Sequence, residues 1–206
     1  MERLLQQIKA LRKSPVKALI QKRMREFARQ RSEKEIFSEL CFCILTANYS
    51  AEGGIRIQKA IGDEFCSLPE AKLAMKLRQL GHRFPNTRAR YVHEARMHLP
   101  MMRQILAEHA NELELREWLV KNVKGLGYKE ASHFLRNIGY RNLAIIDFHI
   151  IDLLIAEKLI AQPKTITPKN YLEIEKLLLE IGRKTGLCLA ELDLYLWYME
   201  TGKILK

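Results

Sequence analysis

The chain has 206 residues, with 35 Lys+Arg against 24 Asp+Glu, for a formal net charge of +11. Ten glycines, six prolines and 48% hydrophobic residues exclude collagen, coiled-coil and wholly disordered classes and leave enough apolar material for a buried core. The basic balance points to an anionic partner, either nucleic acid or a membrane surface. The excess lies in three blocks separated by acidic segments. Residues 1–34 hold 11 basic and 3 acidic side chains, residues 72–103 hold 8 and 1, and residues 121–141 hold 5 and 1. Each block alone reads as a solvated helix face. Three of them on one chain make a phosphate-tracking surface if the fold unites them.

Apolar spacing is helical almost throughout. Leu4, Leu5, Ile8 and Leu11 form a stripe that Ser14-Pro15 breaks, and Ile20, Met24 and Phe27 form the next. Ile36, Phe37, Leu40, Cys41, Ile44 and Leu45 predict a helix with a broad apolar face. Ser67, Pro69 and Glu70 predict a capping-box start, with a stop at Gly81. Asn111 and Glu114 open another helix, carrying Leu115, Trp118 and Leu119. A helix is expected over 149–160. Thr167-Pro168 starts one more, with Gly182 at its end, and Leu189, Leu192, Leu196 and Met199 mark the last. Sustained apolar–polar alternation is absent, so the expected fold class is all-α.

The four cysteines, Cys41, Cys43, Cys66 and Cys188, form no CxxC pair and no zinc or iron–sulfur spacing. Cys41 and Cys43 lie in the run LCFCILTA and read as small buried hydrophobes. No secretory h-region and no apolar run of about 18 residues is present, which drops the membrane reading and predicts an intracellular protein.

The most informative stretch spans 119–139, LVKNVKGLGYKEASHFLRNIG. A helix is expected to end at Gly125, a Gly-Leu-Gly turn to follow, and a second helix to start near Tyr128. Gly125 and Gly127 permit positive φ, so the turn can expose backbone N–H groups beside a positive helix end. That arrangement suits one backbone phosphate, with Lys121 and Lys124 adding charge. A tight αα turn with no ligand is the plainer reading of the glycines alone. Val123, Leu126, Ala131, Phe134, Leu135 and Ile138 make the pattern resemble the helix–hairpin–helix DNA-binding motif, which holds phosphate without reading sequence.

Two residues then stand out. Lys129 lies in the first turn of the second helix, where a cation has the wrong sign for the helix dipole. It reads as a phosphate-contacting lysine or as a nucleophile. A lysine attacks as the neutral amine, about one in 2,500 at an ordinary pKa and pH 7, and a positive helix end raises that share. Asp147 ends the apolar run 143–146 and precedes a helix. It reads as an N-cap and also as a fixed carboxylate able to stabilise a developing cation.

A helix–hairpin–helix followed by a loop ending in a fixed aspartate is similar to the signature of the helix–hairpin–helix DNA glycosylase superfamily. Lys129 stands where bifunctional members carry a Schiff-base lysine, and Asp147 where they carry a catalytic aspartate. The segments LTANYSA (45–51), GHRFPNTRARYV (81–92), CFCILTANYSAEGGIRIQKAIG, GLGYKEASHFLRN, AIID and ELDLYLWYMETGKILK make the whole chain resemble the compact type-2 8-oxoguanine DNA glycosylase/AP lyase family. The cluster cysteines of endonuclease III relatives are absent. The resemblance implies two helical subdomains, residues 20–141 and residues 1–19 plus 142–206, with a DNA cleft between them.

It also implies a bifunctional enzyme that excises 8-oxoguanine from duplex DNA and cleaves the abasic site by β-elimination. Asn48 is then the residue that enters the duplex, and Lys124, Gly125, Gly127 and Arg88 contact DNA. Lys206, Trp197, Phe84 and Phe148 are candidates for base recognition, with a core tryptophan and an uninvolved tail as the alternatives. No metal or organic cofactor is implied. The expected state is a monomer acting on chromosomal DNA, cytoplasmic in a prokaryote. The rival functions are a glycosylase for another oxidised base and a non-catalytic helix–hairpin–helix binding module. The latter has no use for both Lys129 and Asp147.

Overall fold

The computed structural model describes residues 1–206 and contains helices and no β-strand. In chain order the helices are α1 (Glu2–Leu11), α2 (Val16–Ala28), α3 (Glu33–Thr46), α4 (Ala51–Ile61), α5 (Glu70–Gln79), α6 (Pro85–Ala95), α7 (Met102–Glu108), α8 (Glu112–Asn122), α9 (Tyr128–Asn137), α10 (Phe148–Ala156), α11 (Pro168–Thr185) and α12 (Leu189–Thr201). Short 3-10 turns cover Gly62–Cys66 and Arg96–Met101. No helix is long and apolar enough to cross a membrane.

The chain divides into two units, one of residues 30–138 and one of residues 1–29 with 139–206. The resemblance groups residues 20–29 with the hairpin. They fall instead with the second unit, because α2 packs on α12 through a face that buries Val16, Ile20 and Phe27.

In the 30–138 unit α3 is the central element, in contact with α4, α6, α7 and α9. Its apolar face is broader than one stripe, since every residue from Leu40 to Thr46 is buried, Cys41 and Cys43 among them. Ser32 caps it through a complete capping box with Glu35. The helix α9 is also buried along its length from Ala131 to Asn137, including Ser132, His133, Arg136 and Asn137. Asn137 Nδ2 donates to Glu39 Oε2 at 3.1 Å, so this amide is hydrogen-bonded rather than stranded.

In the other unit α10 and α11 pack on α12, and α1 lies on α11 and α12 with Leu4 and Ile8 fully buried. Arg12 donates to the Thr185 carbonyl and so satisfies the last turn of α11. Thr167 caps α11 by accepting from the Asn170 N–H, as its sequence predicts. The helix does not stop at Gly182. It continues to Thr185 and ends at left-handed Gly186, where Leu187 N–H returns to the Gly182 carbonyl. Ser67 does not cap α5. Its own N–H closes the preceding 3-10 turn on the Glu64 carbonyl, which leaves Pro69 at the N-cap position.

Candidate active site and nucleic-acid interface

The 30–138 unit contains the hairpin. Asn111 caps α8 through bonds to the Leu113 and Glu114 N–H groups, and α8 ends at Asn122, three residues before the expected stop. Val123 and Leu126 are buried beneath the turn. The two glycines differ. Gly125 has φ +88°, and a Cβ there would meet the Tyr91 ring at 2.5 Å. Gly127 is extended, with φ −95° and ψ −173°, so the expectation of positive φ holds only at Gly125. The close approach of Tyr91 ties the GHRFPNTRARYV element to the hairpin backbone.

Carboxylates already occupy the polar groups of this turn. Gly127 N–H donates to Glu130 Oε2 at 3.2 Å, and Lys129 Nζ lies 3.6 Å from Glu130 Oε1. Lys124 Nζ lies 3.0 Å from Glu94 Oε2. Lys129 is the less exposed of the two lysines, its side chain 25% accessible against 69% for Lys124. A phosphate arriving at the Gly127 N–H would therefore replace the Glu130 carboxylate there. The angle between α8 and α9 is fixed from inside. The guanidinium of fully buried Arg116 sits 5.0 Å from the Tyr128 ring centroid and donates to Ser132 Oγ at 3.3 Å. The Tyr128 hydroxyl donates to Glu117 at 2.6 Å. Sequence reasoning missed Arg116, because a cation in a helix pattern reads as solvated.

The same unit presents Asn48. It is exposed at φ +58°, between α3, whose C-cap is Ala47, and α4, whose N-cap Ser50 accepts from the Gly53 N–H. Asparagine tolerates this left-handed backbone better than other side chains. The segment around it is tied to residues 80–88. His82, only 4% exposed, bonds the Leu45 carbonyl through Nε2 at 2.9 Å and accepts the Phe84 N–H at Nδ1. Because Phe84 donates to Nδ1, the ring proton sits on Nε2 and the imidazole is neutral. Burial lowers the His82 pKa from its ordinary value, the Leu45 carbonyl opposes this, and the Arg88 charge adds to it. The Tyr49 ring lies 4.4 Å from His82, and its hydroxyl donates to the Gly81 carbonyl.

Arg88 differs from its expected place on a DNA-facing surface. It is buried, and its guanidinium donates to the Ala47 carbonyl at 2.5 Å. A buried guanidinium needs an acceptor, and the loop carbonyl supplies one. Phe84 is 37% exposed, with the Arg83 guanidinium 5.0 Å from its ring centroid.

The 1–29/139–206 unit holds Asp147. The apolar run 143–146 is buried and lies outside any helix or strand, so its backbone groups need other partners. The helix α11 provides them. Ala144 N–H donates to Glu175 Oε1 at 2.8 Å, the Tyr171 hydroxyl donates to the Ala144 carbonyl at 2.6 Å, and Ile146 N–H donates to that hydroxyl. Neither role is visible in the sequence, where Tyr171 simply shares helical spacing with Ile174, Leu178 and Ile181. The run delivers Asp147 to the N-cap of α10, where Oδ1 accepts the Ile150 N–H at 3.0 Å. Phe148, the next residue, is 75% exposed, an unusual cost for a large apolar ring. Trp197 meets His149 edge-on at 4.6 Å, and its Nε1 is buried without an acceptor from the protein. Lys206 is half-buried at the end of the tail.

All four cysteines are free, and no three His, Cys, Asp or Glu side chains converge as a metal site. The family model described as 8-oxoguanine DNA glycosylase matches residues 20–187. The 8-oxoguanine DNA glycosylase/AP lyase of Korarchaeum cryptofilum is 55% identical over 204 residues, covering 98% of each chain. That of Methanocaldococcus jannaschii is 52% identical, covering 98% of this chain and 99% of the relative. Among solved structures, the M. jannaschii 8-oxoguanine glycosylase/lyase in complex with 15mer DNA containing 8-oxoguanine superposes with a TM-score of 0.96 at 51% identity, over 99% of this chain and 100% of that one. The Thermotoga maritima 8-oxoguanine DNA glycosylase gives 0.93 at 44% identity, over 100% and 99%. With a family match over most of its length and relatives of this identity end to end, the chain belongs to the 8-oxoguanine DNA glycosylase family.

Proposed function

We propose that this chain removes 8-oxoguanine from duplex DNA and then cuts the strand at the abasic site it has made. The observation that carries the reading is the placing of Lys129. Its amine stands in the first turn of α9, directly after a glycine hairpin of phosphate-binding type, with three quarters of its side chain withdrawn from solvent. Full-length relatives that bear both activities in their names support it.

Gly125, Gly127 and Lys124 hold the backbone phosphate, and Asn48 fills the space left when the lesion leaves the stack. As the bond from C1′ to the base breaks, the base departs with the bonding pair and takes up a proton. Positive charge grows on the sugar, and the Asp147 carboxylate stabilises it. Lys129 reacts as the free amine, and the Glu130 carboxylate beside it is an acceptor for the proton it gives up. Nζ bonds to C1′, the ring opens to a Schiff base, and loss of a C2′ proton expels the 3′ phosphate. Phe148 and Phe84 offer exposed ring faces to a base, Trp197 a ring large enough to stack on one, and Lys206 a cationic amine. These steps draw only on groups of this chain, and the substrate is chromosomal DNA inside the cell.

Borohydride trapping on an 8-oxoguanine duplex tests the reading. Wild type should yield a covalent protein–DNA adduct, and Lys129→Gln should yield none. An undiminished adduct with Lys129→Gln would sink the assignment of the nucleophile.

A further inference from the structure

The Asn48 loop is built differently from an ordinary helix connection. Its carbonyls at positions 45 and 47 lie at the C-terminal end of α3, where intrahelical donors run out. Both are met by side chains distant in sequence, Leu45 by His82 and Ala47 by Arg88. A third tie runs the other way, from the Tyr49 hydroxyl to the Gly81 carbonyl at 3.1 Å. A fourth joins Arg56 to the Leu80 carbonyl at 3.0 Å. Asn48 is the exposed residue at the centre of these ties, and it is held at φ +58°. A solvent-exposed asparagine gains nothing by itself from such fixing, and ordering a loop has an entropic cost. A side chain that has to enter a base stack gains directly, since the loop is then ordered before DNA arrives.

We infer that His82, with Arg88 and Tyr49, is a positioning residue that holds Asn48 in its outward left-handed conformation for entry into the duplex. The inference rests on the reading of Asn48 as the invading side chain. His82 is suited to the task because one neutral ring serves two backbone groups on different segments, donating to Leu45 and accepting from Phe84. Its face also supports the Tyr49 ring.

A double-mutant cycle read by single-turnover excision of 8-oxoguanine from duplex DNA tests this. Asn48→Gly removes the side chain and keeps the backbone conformation free of strain. His82→Phe keeps a ring against Tyr49 and removes both hydrogen bonds. It should slow excision by about 10–100-fold, the scale for a group misplaced by an ångström. Tyr49→Phe removes only the hydroxyl, leaves the packing intact and should slow excision by about fivefold, near the worth of one net hydrogen bond. Neither substitution should slow excision further in the Asn48→Gly background.

Both should also leave Schiff-base trapping on a ready-made abasic site unchanged, since no base remains to be extruded there. Losses that multiply with Asn48→Gly would overturn the positioning role alone. Excision at the wild-type rate in Asn48→Gly would instead overturn the reading of Asn48, and the inference with it. If His82→Phe does not fold, Tyr49→Phe decides between the same outcomes.

Discussion

Replacing each hairpin glycine with alanine separates two positions that look equivalent in the sequence. At Gly125 an added Cβ meets two obstacles. The backbone has φ +88°, where an L side chain costs about 1–2 kcal/mol. The Cβ would also stand 2.5 Å from Tyr91 Cδ2 and 3.1 Å from Cε2, and displacing a packed ring costs about 1–3 kcal/mol. The sum, about 2–5 kcal/mol, is a large share of a typical domain's stability. At Gly127 the backbone is extended and only Glu130 Oε2 lies near, at 3.2 Å, the mobile end of a side chain. Loss of unfolded-state freedom there favours alanine by about 0.4–1 kcal/mol, so Gly127→Ala should stay within about 1 kcal/mol of wild type. Equilibrium denaturation in urea, followed by far-UV circular dichroism, measures both. Gly125→Ala should also weaken binding to undamaged and lesion duplexes alike, because Tyr91 and the hairpin move together. A Gly127→Ala variant as unstable as Gly125→Ala would refute the argument from backbone conformation and ring contact.

Other outcomes follow from the same geometry. Asp147→Asn keeps an oxygen for the Ile150 N–H, so stability should hold while base excision falls by about 10²–10³-fold, the scale for losing one electrostatic stabiliser. Asp147→Ala should lose about 1 kcal/mol of stability besides. Thermal melts beside single-turnover assays separate the two roles, and full excision by Asp147→Asn would remove the carboxylate from the chemistry. His82 has a pKa below its ordinary value near 6.5, chiefly through burial, with the Arg88 charge and the Tyr49 ring facing it. The unfolded chain therefore binds the proton first as pH falls. The stabilisation is complete above about 6.5 and drains away as pH drops through the lower folded value. The gap in urea midpoint between wild type and His82→Phe should accordingly shrink from pH 7.5 to pH 5, and a gap independent of pH would contradict the neutral ring.

The helices are legible where a local signal suffices. Asn111 with Glu114 and Thr167 with Pro168 mark starts that the structure keeps, since a cap needs only neighbours within one turn. Ser67 misleads because the same residue closes the turn before it, and spacing alone does not say which side claims a serine. The hairpin and the placing of Asp147 before a helix are readable for the same local reason. The supports are not. His82 reaches back 37 residues to Leu45, Arg88 reaches 41 to Ala47, and Glu175 reaches 31 to Ala144. In sequence each is a polar residue of ordinary appearance. Only the tertiary path shows that it satisfies a backbone group, and the charge of Arg88 taken alone suggests a place on the surface.

The division of the chain also sets an order of assembly. Residues 30–138 form their unit from one uninterrupted stretch, so all their partners leave the ribosome together. The other unit is built from both sides of that stretch. During synthesis α1 and α2 emerge before that stretch, yet α11 and α12, on which they pack with Leu4, Ile8, Ile20 and Phe27 buried, are made after it. Two amphipathic helices of a strongly basic segment thus wait with apolar faces uncovered while residues 30–138 are made. Contacts of such long sequence separation close late. Over that interval α1 and α2 are open to aggregation and proteolysis, and the making of α11 and α12 ends the exposure.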